Sequence, residues 1–400
     1  MKIAVLCSHK PEIDPRVVRV YESLSKIPNA TIKVLFFSKE KSRKKNLEKN
    51  VCFVQCKLHD NHDVDHDVDH LSHFLIFLKK RIPRLYDLLY VLKLIKNICN
   101  TLFPRIDSDT KLIYANDLET LPSAYFFKKK HPKTKLIYDC HEFYPHSHTN
   151  APSWYSFLLI LIEKFFIRHV DVIFSVNPLI AKKIEKTYGK KVISLLNAEP
   201  YKKERPSLKE TFLNKKKVNF LFQGGYRPCR GLEEFLGAWE DLNPKNACLY
   251  LRGTGGGKDS LERQVRTYKT FKTSLFFIDP VQEEELVQEA KYFDVGLIPY
   301  KPIDINYKYC CPNKLSQYMH AGLSIIGSRT EFVSETINKY KLGTVYDAEN
   351  SESIQKAILK LCDDRQFLSD TKKASLKTAK NIFNWQQEEK KLLKIVKTLI

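Results

Sequence analysis

Glycine is scarce in this 400-residue chain: there are 13, and every one lies at or beyond Gly189. A Gly-x-Gly dinucleotide fingerprint behind the first strand is thereby excluded, because no glycine stands there to let backbone approach a pyrophosphate. Ten cysteines are present, but none forms a Cys-x-x-Cys pair of the zinc type. A secretory signal is lacking as well: the opening Met1 to Cys7 runs straight into an apolar strand, so a reducing cytoplasm is the expected location. Long hydrophobic runs are missing. The greasiest stretch, Trp154 to Ile167, is interrupted by Glu163 and Lys164 and is too short to span a bilayer. Acidic residues are outnumbered, 46 Asp and Glu against 67 Lys and Arg, which leaves a net charge of +21. That balance favours an anionic partner: nucleic acid, an acidic membrane face or a phosphorylated small molecule. Nucleic acid ranks last, since the basic residues are scattered and no RNA-recognition, KH, zinc or helix-turn-helix signature accompanies them.

What is present is the composition of a globular protein, 43% hydrophobic and 28% charged. The length suits two domains, each with a real core. Short β-branched and aromatic runs alternate with helical patterns, which predicts an α/β architecture of parallel sheets wrapped by helices. The first half places strands at Lys2–Cys7, Thr31–Phe37, Val51–Cys56, Lys111–Ala115, Lys135–Asp139, Asp171–Val176 and Lys191–Leu196. Pro15 suits the first position of a helix over Pro15–Lys26. Alternation restarts after the lysine-rich stretch 201–217, with strands at Val218–Gln223, Ala247–Leu251, Ser274–Ile278, Asp294–Pro299 and Leu323–Gly327. The expected domains are therefore 1–200, a linker over 201–217, and 218–380. A tail helix over 381–400, with Leu392, Leu393, Ile395, Val396 and Leu399 at helical spacing, is expected to pack back on the first domain.

Two segments look inserted within 58–105. The near-repeat of His and Asp over 59–73 reads either as a metal-binding run or as a solvated loop of alternating charge. From Phe74 to Phe103, Leu, Ile, Phe and Tyr mix with Lys79, Lys80, Arg81, Arg84, Lys93 and Lys96. This pattern suits a helix on an anionic membrane, or a core-packing amphipathic hairpin broken at Pro83.

Ligands of doubly wound sheets sit outside the carboxyl ends of the strands, so the strand-end residues carry the functional candidates. Strand Val218–Gln223 ends in Gly224 and Gly225, followed by Arg227 and then Arg230 at a helix start, a junction competent to bind an anion. Gly253 and Thr254 open a flexible loop after the next strand. Pro312 precedes a helix start, Lys314 falls in its first turn, and Gly322 fits its stop. A cation is unfavourable at that end of the helix dipole, which is expected where an anion binds between Lys314 and the free amides. In the first domain, strand Lys135–Asp139 leads into His141 and Glu142, strand Lys111–Ala115 into Asn116 and Asp117, and the first strand toward Asp14 and Arg16. A strand-end histidine can hydrogen-bond substrate, move a proton or simply be a satisfied structural residue.

At these residues the sequence resembles the retaining GT-B glycosyltransferases of family 4, in the subgroup with a Pro-Asn-Lys-Leu motif. The resemblance runs through Asp14-Pro-Arg16, Tyr114-Ala-Asn-Asp117, Tyr138-Asp-Cys-His141-Glu142, Gln223-Gly-Gly225, Arg230-Gly231, and Pro312-Asn313-Lys314-Leu315 with Tyr318-Met-His-Ala-Gly322. It implies two Rossmann-like domains facing across a cleft. The acceptor site would lie in the first (Arg16, Asp117, Glu142) and the nucleotide-sugar site in the second (Gly224, Gly225, Arg227, Gly253, Thr254, Asn313, Leu315, Gln317). His141, Arg230 and Lys314 would be catalytic: the histidine near the transferred sugar, the two cations on the donor diphosphate. No cofactor and no metal is implied; the donor is a nucleotide diphosphate sugar, UDP-linked in preference to GDP-linked. The acceptor is a glycan or lipid-linked glycan, and the setting is surface polysaccharide assembly on the inner face of the plasma membrane. Two departures stand out: where relatives carry two glutamates eight positions apart, this chain has Tyr309 and Gln317. A neutral amide at Gln317 loses the charge-assisted strength of a carboxylate toward a ribose hydroxyl. A non-catalytic, glycosyltransferase-like binding subunit is the competing expectation.

Overall fold

The structure is a computed structural model, and it describes residues 1–37, 50–56, 83–147, 152–202, 213–214, 216–227 and 230–400. The His/Asp-rich run and the part of the basic insert before Pro83 lie outside the described residues, as does most of the stretch expected as a linker. The chain divides into two compact units, Met1–Leu195 with Glu389–Ile400, and Leu196–Glu388.

The first unit is built on a seven-stranded parallel sheet: β1 (Lys2–Cys7), β2 (Thr31–Phe37), β3 (Val51–Cys56), β4 (Leu112–Asn116), β5 (Lys135–Cys140), β6 (Val172–Ser175) and β7 (Val192–Ser194). Their order in the sheet is β3-β2-β1-β4-β5-β6-β7. The central strands are apolar throughout; Ile3 to Cys7 and Leu112 to Ala115 are all buried, as a sheet covered on both faces requires. Helix α1 (Pro15–Ser25) starts because Pro15 presets φ and the Asp14 side chain caps the free amides of Arg16 and Val17. Its Val17, Val20 and Leu24 are fully buried, about 1.5–3 kcal/mol each from apolar burial. Helices α2 (Pro83–Leu102), α3 (Asp117–Lys130), α4 (Ser153–Ile167) and α5 (Pro178–Tyr188) complete the wrapping.

The second unit repeats the plan with six parallel strands: β8 (Val218–Gln223), β9 (Ala247–Arg252), β10 (Leu275–Ile278), β11 (Val295–Ile298), β12 (Ser324–Ser328) and β13 (Gly343–Tyr346), ordered β10-β9-β8-β11-β12-β13. Its core gathers Phe220, Leu236, Trp239, Leu249, Leu251, Leu297 and Ile358. Helices α6 (Leu232–Leu242), α7 (Lys258–Val265), α8 (Leu286–Ala290), α9 (Ile305–Tyr309), α10 (Asn313–Ala321), α11 (Glu331–Tyr340), α12 (Ser351–Asp363) and α13 (Arg365–Asn381) surround the sheet. The last helix, α14 (Trp385–Leu399), begins in the second unit, and from Glu389 its residues belong to the first. Glu389 accepts from Ser23 Oγ at 2.7 Å and pairs with Lys26 at 2.6 Å, which fastens it to α1.

In both sheets the strand order reverses direction between the first and fourth strands of the unit, at β1/β4 and at β8/β11. Crossovers leave to opposite sides there, so the carboxyl ends of these strands stay uncovered by their own connections. Two sets of candidate residues lie at those two places.

Candidate active site

In the first unit, a carboxylate and histidine cluster forms where β1, β4 and β5 end. Asp14 uses one oxygen to cap α1, accepting from Arg16 N at 2.9 Å. Its other oxygen lies 3.3 Å from His9 Nε2 and 3.1 Å from His141 Nδ1. Asp117 follows β4 directly in the left-handed region, φ 57°, a conformation that Asp tolerates better than most residues and that marks a constrained turn. That turn aims its carboxylate at residue 141: Oδ1 accepts from His141 N at 3.0 Å, and Oδ2 stands 3.4 Å from Nδ1. On the other side of the ring, Nε2 is 3.2 Å from Asn116 Oδ1 and 3.8 Å from Asp139 Oδ2. Both ring nitrogens face acceptors, the arrangement of an imidazolium. Burial by itself would depress the pKa of His141, but Asp117, Asp14 and Asp139 outweigh it and push it up to about 10. Acceptors at both ring nitrogens favour the protonated ring, a cation and hydrogen-bond donor.

Arg16 is placed differently from its expected position on the acceptor side. Its side chain is 2% exposed. Nε and Nη2 grip Asp139 at 2.9 and 2.8 Å, and Nη1 donates to the Leu195 carbonyl at 2.9 Å. The spacing of Asp14-Pro15-Arg16 carries the guanidinium under the cluster rather than out of it. Tyr114 Oη completes the shell of Asp139 at 2.6 Å. Removing one partner of such a buried pair costs about 3–5 kcal/mol, so Arg16 holds Asp139 and, through it, the rear of the His141 ring. Glu142 is exposed beside His141.

The second unit gathers its candidates around two glycine loops. Gly224 N donates to the Arg252 carbonyl at 2.9 Å, and Tyr226 N to the Thr254 carbonyl at 2.8 Å, so the ladder of β8 and β9 continues into both loops. A Cβ on Gly253 would run into the Gly224 carbonyl, and φ at Gly224 is 136°. Glycine is required at both. Lys314, in the first turn of α10, lays its ammonium against Gly224, donates to Tyr300 Oη at 3.2 Å, and stands over the rings of Phe222 and Tyr300 at 5.3 and 5.4 Å. Among the described residues it meets no carboxylate. Arg230 stacks 4.8 Å from the centre of the Tyr307 ring, and Tyr307 in turn is 5.9 Å from Tyr300. Burial raises the Tyr307 hydroxyl pKa while Arg230, and more weakly Arg227, pull it down, which places both guanidiniums near that ring. A continuous line thus runs Lys314, Tyr300, Tyr307, Arg230. The start of α10 has no side-chain cap, and the buried Asn313 Oδ1 meets no donor among the described residues. The uncapped helix start, two cations and close-approaching backbone are the parts of a candidate anion site.

Gln317 is 3% exposed and held at both ends: Oε1 accepts from Gln223 Nε2 at 3.0 Å, and Nε2 donates to Glu283 Oε1 at 3.3 Å. Leu315 departs from expectation. Its side chain is in the core and its amide already donates to the Pro312 carbonyl at 3.0 Å, so it has nothing to offer a ligand. Thr254 and Gly225 are exposed next to one another.

Sequence reasoning passed over His9, Tyr300, Tyr307 and Glu283. Tyr300 had a signal in retrospect, an aromatic two residues past the end of β11. The others sit in turns and short helices where no periodicity marks them. Among the described residues, no group of three or more His, Cys, Asp or Glu is arranged to hold a metal ion.

Residues 217–364 match the glycosyl transferases group 1 family. An uncharacterized glycosyltransferase of Methanocaldococcus jannaschii is 25% identical over 202 residues, 49% of this chain and 49% of that protein. The match therefore spans about half the length of that curated relative. Along its whole length the chain is similar in structure to a trehalose-6-phosphate protein from E. coli bound with UDP-2-fluoro glucose, at TM-score 0.70 and 15% identity, with 100% of each chain covered. It is similar also to sucrose-phosphate synthase from Thermosynechococcus elongatus, at TM-score 0.72 and 11% identity, covering 100% of this chain and 99% of that one. Anabaena HepE in complex with UDP gives TM-score 0.70 and 12% identity over 100% of both chains. The fold is GT-B. Within this GT-B chain, the group 1 match covers Gly224, Arg230, Gly253, Lys314 and Gln317, and the histidine cluster lies outside it, in the first unit.

Proposed function

We propose that this GT-B chain transfers a sugar from a nucleotide diphosphate sugar to a hydroxyl of a glycan or lipid-linked acceptor, with retention at the anomeric carbon. The observation that carries the reading is Lys314: a cation without a carboxylate among the described residues, in the first turn of an uncapped helix and against backbone that only glycine allows. The group 1 match supports it. So do the GT-B neighbours whose structures hold UDP or a UDP-sugar, which also make a UDP-sugar the first donor to try and a GDP-sugar the second.

As the bond from the anomeric carbon to the diphosphate oxygen breaks, negative charge grows on the diphosphate. Lys314, Arg230 and the α10 amides are preorganised for that charge. The acceptor hydroxyl oxygen forms the new bond to the anomeric carbon on the same face, and its proton passes to a donor phosphate oxygen. This step uses no paired carboxylates and no metal. His141, held as an imidazolium, donates to a hydroxyl of the transferred sugar, while Asp117 and Glu142 serve the acceptor. Gly225, Arg227, Thr254, Asn313 and Gln317 line the nucleotide. The described cysteines are all free thiols, which supports a reducing compartment, the cytoplasm.

A second reading is a non-catalytic binding subunit. It is favoured by the engaged amide of Gln317, both ends of which are already bonded. Nucleotide release measured with a panel of UDP- and GDP-sugars and a lipid-linked acceptor extract separates the two: turnover with a donor supports transfer, and binding of nucleotide without turnover supports the subunit.

A further inference from the structure

Helix α4 is apolar on both faces: it buries Leu159, Phe166 and Ile167. Its single acidic residue, Glu163, is buried, accepting from Tyr138 Oη at 2.6 Å and from Tyr188 Oη, whereas its outward stripe carries Phe157, Leu161 and Phe165, 60%, 49% and 47% exposed. A helix packed only against its own domain carries polar residues on its outward face. Lys164 and Arg168 lie at the carboxyl end of the same stripe. Helix α2 repeats it: Leu85, Leu89 and Leu92 are exposed on one face, followed by Lys93 and Lys96.

These helices share one side of the sheet. The crossover through α1 steps from β1 toward β2, whereas those through α2, α3 and α4 step the other way, so right-handed connection puts the three together opposite α1. They pack against one another, and Tyr125 of α3 lies 5.6 Å from the Phe165 ring. Exposed Phe126 joins the apolar strip of α4, with Lys129 and Lys130 beyond it.

We propose that the outer face of α2, α3 and α4 docks the protein on an anionic membrane leaflet. On α2 the exposed leucines precede Lys93 and Lys96; on α4 Phe157, Leu161 and Phe165 run along the helix beside Lys164 and Arg168; on α3 Phe126 is followed by Lys129 and Lys130. Apolar side chains inserting below the headgroups, with a basic band at headgroup level, fit a charged lipid surface; a protein partner would call for shaped pockets or acidic complements on this face.

The inference goes beyond the proposed transfer and does not depend on it. The full chain is floated, without nucleotide, with vesicles of phosphatidylcholine alone and of equal parts phosphatidylcholine and phosphatidylglycerol. The wild type is expected to float with the mixed vesicles only. The double substitution Phe157→Glu, Leu161→Glu should weaken partitioning at least about tenfold, and each of Lys93→Gln, Lys96→Gln and Lys164→Gln about fivefold. All these side chains are exposed, so an unchanged unfolding midpoint in each variant certifies the fold. Absence of flotation, or flotation unchanged by the substitutions, overturns the proposal. So does sedimentation showing a wild-type dimer that Phe157→Glu, Leu161→Glu converts to monomer, which would assign the face to self-association.

Discussion

The ammonium of Lys314 occupies the space that a side chain on residue 224 would take, and it can lie there because that residue is Gly224. One position thus fixes both the approach of backbone to a ligand and the place of the cation. The nearest obstacles to a methyl at 224 are the flexible end of Lys314, whereas a methyl on Gly231 meets the rigid Pro299 carbonyl.

Gly224→Ala should therefore act on binding, beside the backbone strain that φ 136° imposes on any side chain there. The lysine end swings aside, and UDP affinity falls about tenfold or more, the value of a lost charge-assisted contact. Gly231→Ala, at φ 92° against backbone, should instead lower the melting temperature of the second unit. Calorimetric titration with UDP, beside thermal melts of both variants, checks the contrast.

Asp14 and His141 carry a pH signature. The folded pKa of His141, about 10, is above its unfolded value of 6.5, so the stability it contributes is complete below pH 6.5 and is lost as pH rises through about 10. Asp14→Asn keeps a competent helix cap but withdraws one carboxylate. Urea unfolding across that range should show the alkaline loss beginning at lower pH in the variant, and the His141 ring resonances should titrate earlier.

Glu163 shows the opposite kind of residue with the same sign. Burial raises its pKa from 4.5 to about 7, against the pull of the two tyrosine hydroxyls. A carboxyl raised on folding contributes its stability below pH 4.5 and loses it as pH climbs through about 7. Glu163→Gln is expected to flatten the stability profile between those values; a slope equal to that of the wild type would contradict this.

Gln317→Glu would place a second carboxylate 3.3 Å from Glu283, at a site almost closed to water. It should destabilise the second unit by about 1–3 kcal/mol rather than strengthen nucleotide binding. Adding Glu283→Gln should restore much of the loss, and a double-mutant cycle of unfolding free energies measures the coupling.

Much of the fold was legible because β1, β2, β3 and β8 are short runs dominated by apolar and β-branched residues, and their limits match expectation residue for residue. β4 runs one residue further than its apolar stretch, because Asn116 still pairs with Asp139 across the ladder. β13 escaped notice: it is a four-residue edge strand that opens on Gly343 and is only partly buried. At the candidate site, strand-end glycines and helix-start signals pointed to Gly224, Arg230 and Lys314 from sequence alone. The burial of Arg16 was not legible, since Asp139 lies far along the chain and only the pairing of β4 with β5 brings it underneath. Tyr307 and Glu283 reach the site by tertiary approach, for which local sequence holds no pattern.

The most direct test of the donor assignment is nucleotide release from a UDP-sugar by the wild type, Lys314→Ala and Arg230→Ala under identical acceptor conditions, with melting curves to certify each fold. The account predicts that each substitution lowers turnover about 10²–10³-fold, the loss expected when one preorganised charge is removed from a transition state. Wild-type rates in both variants would contradict it.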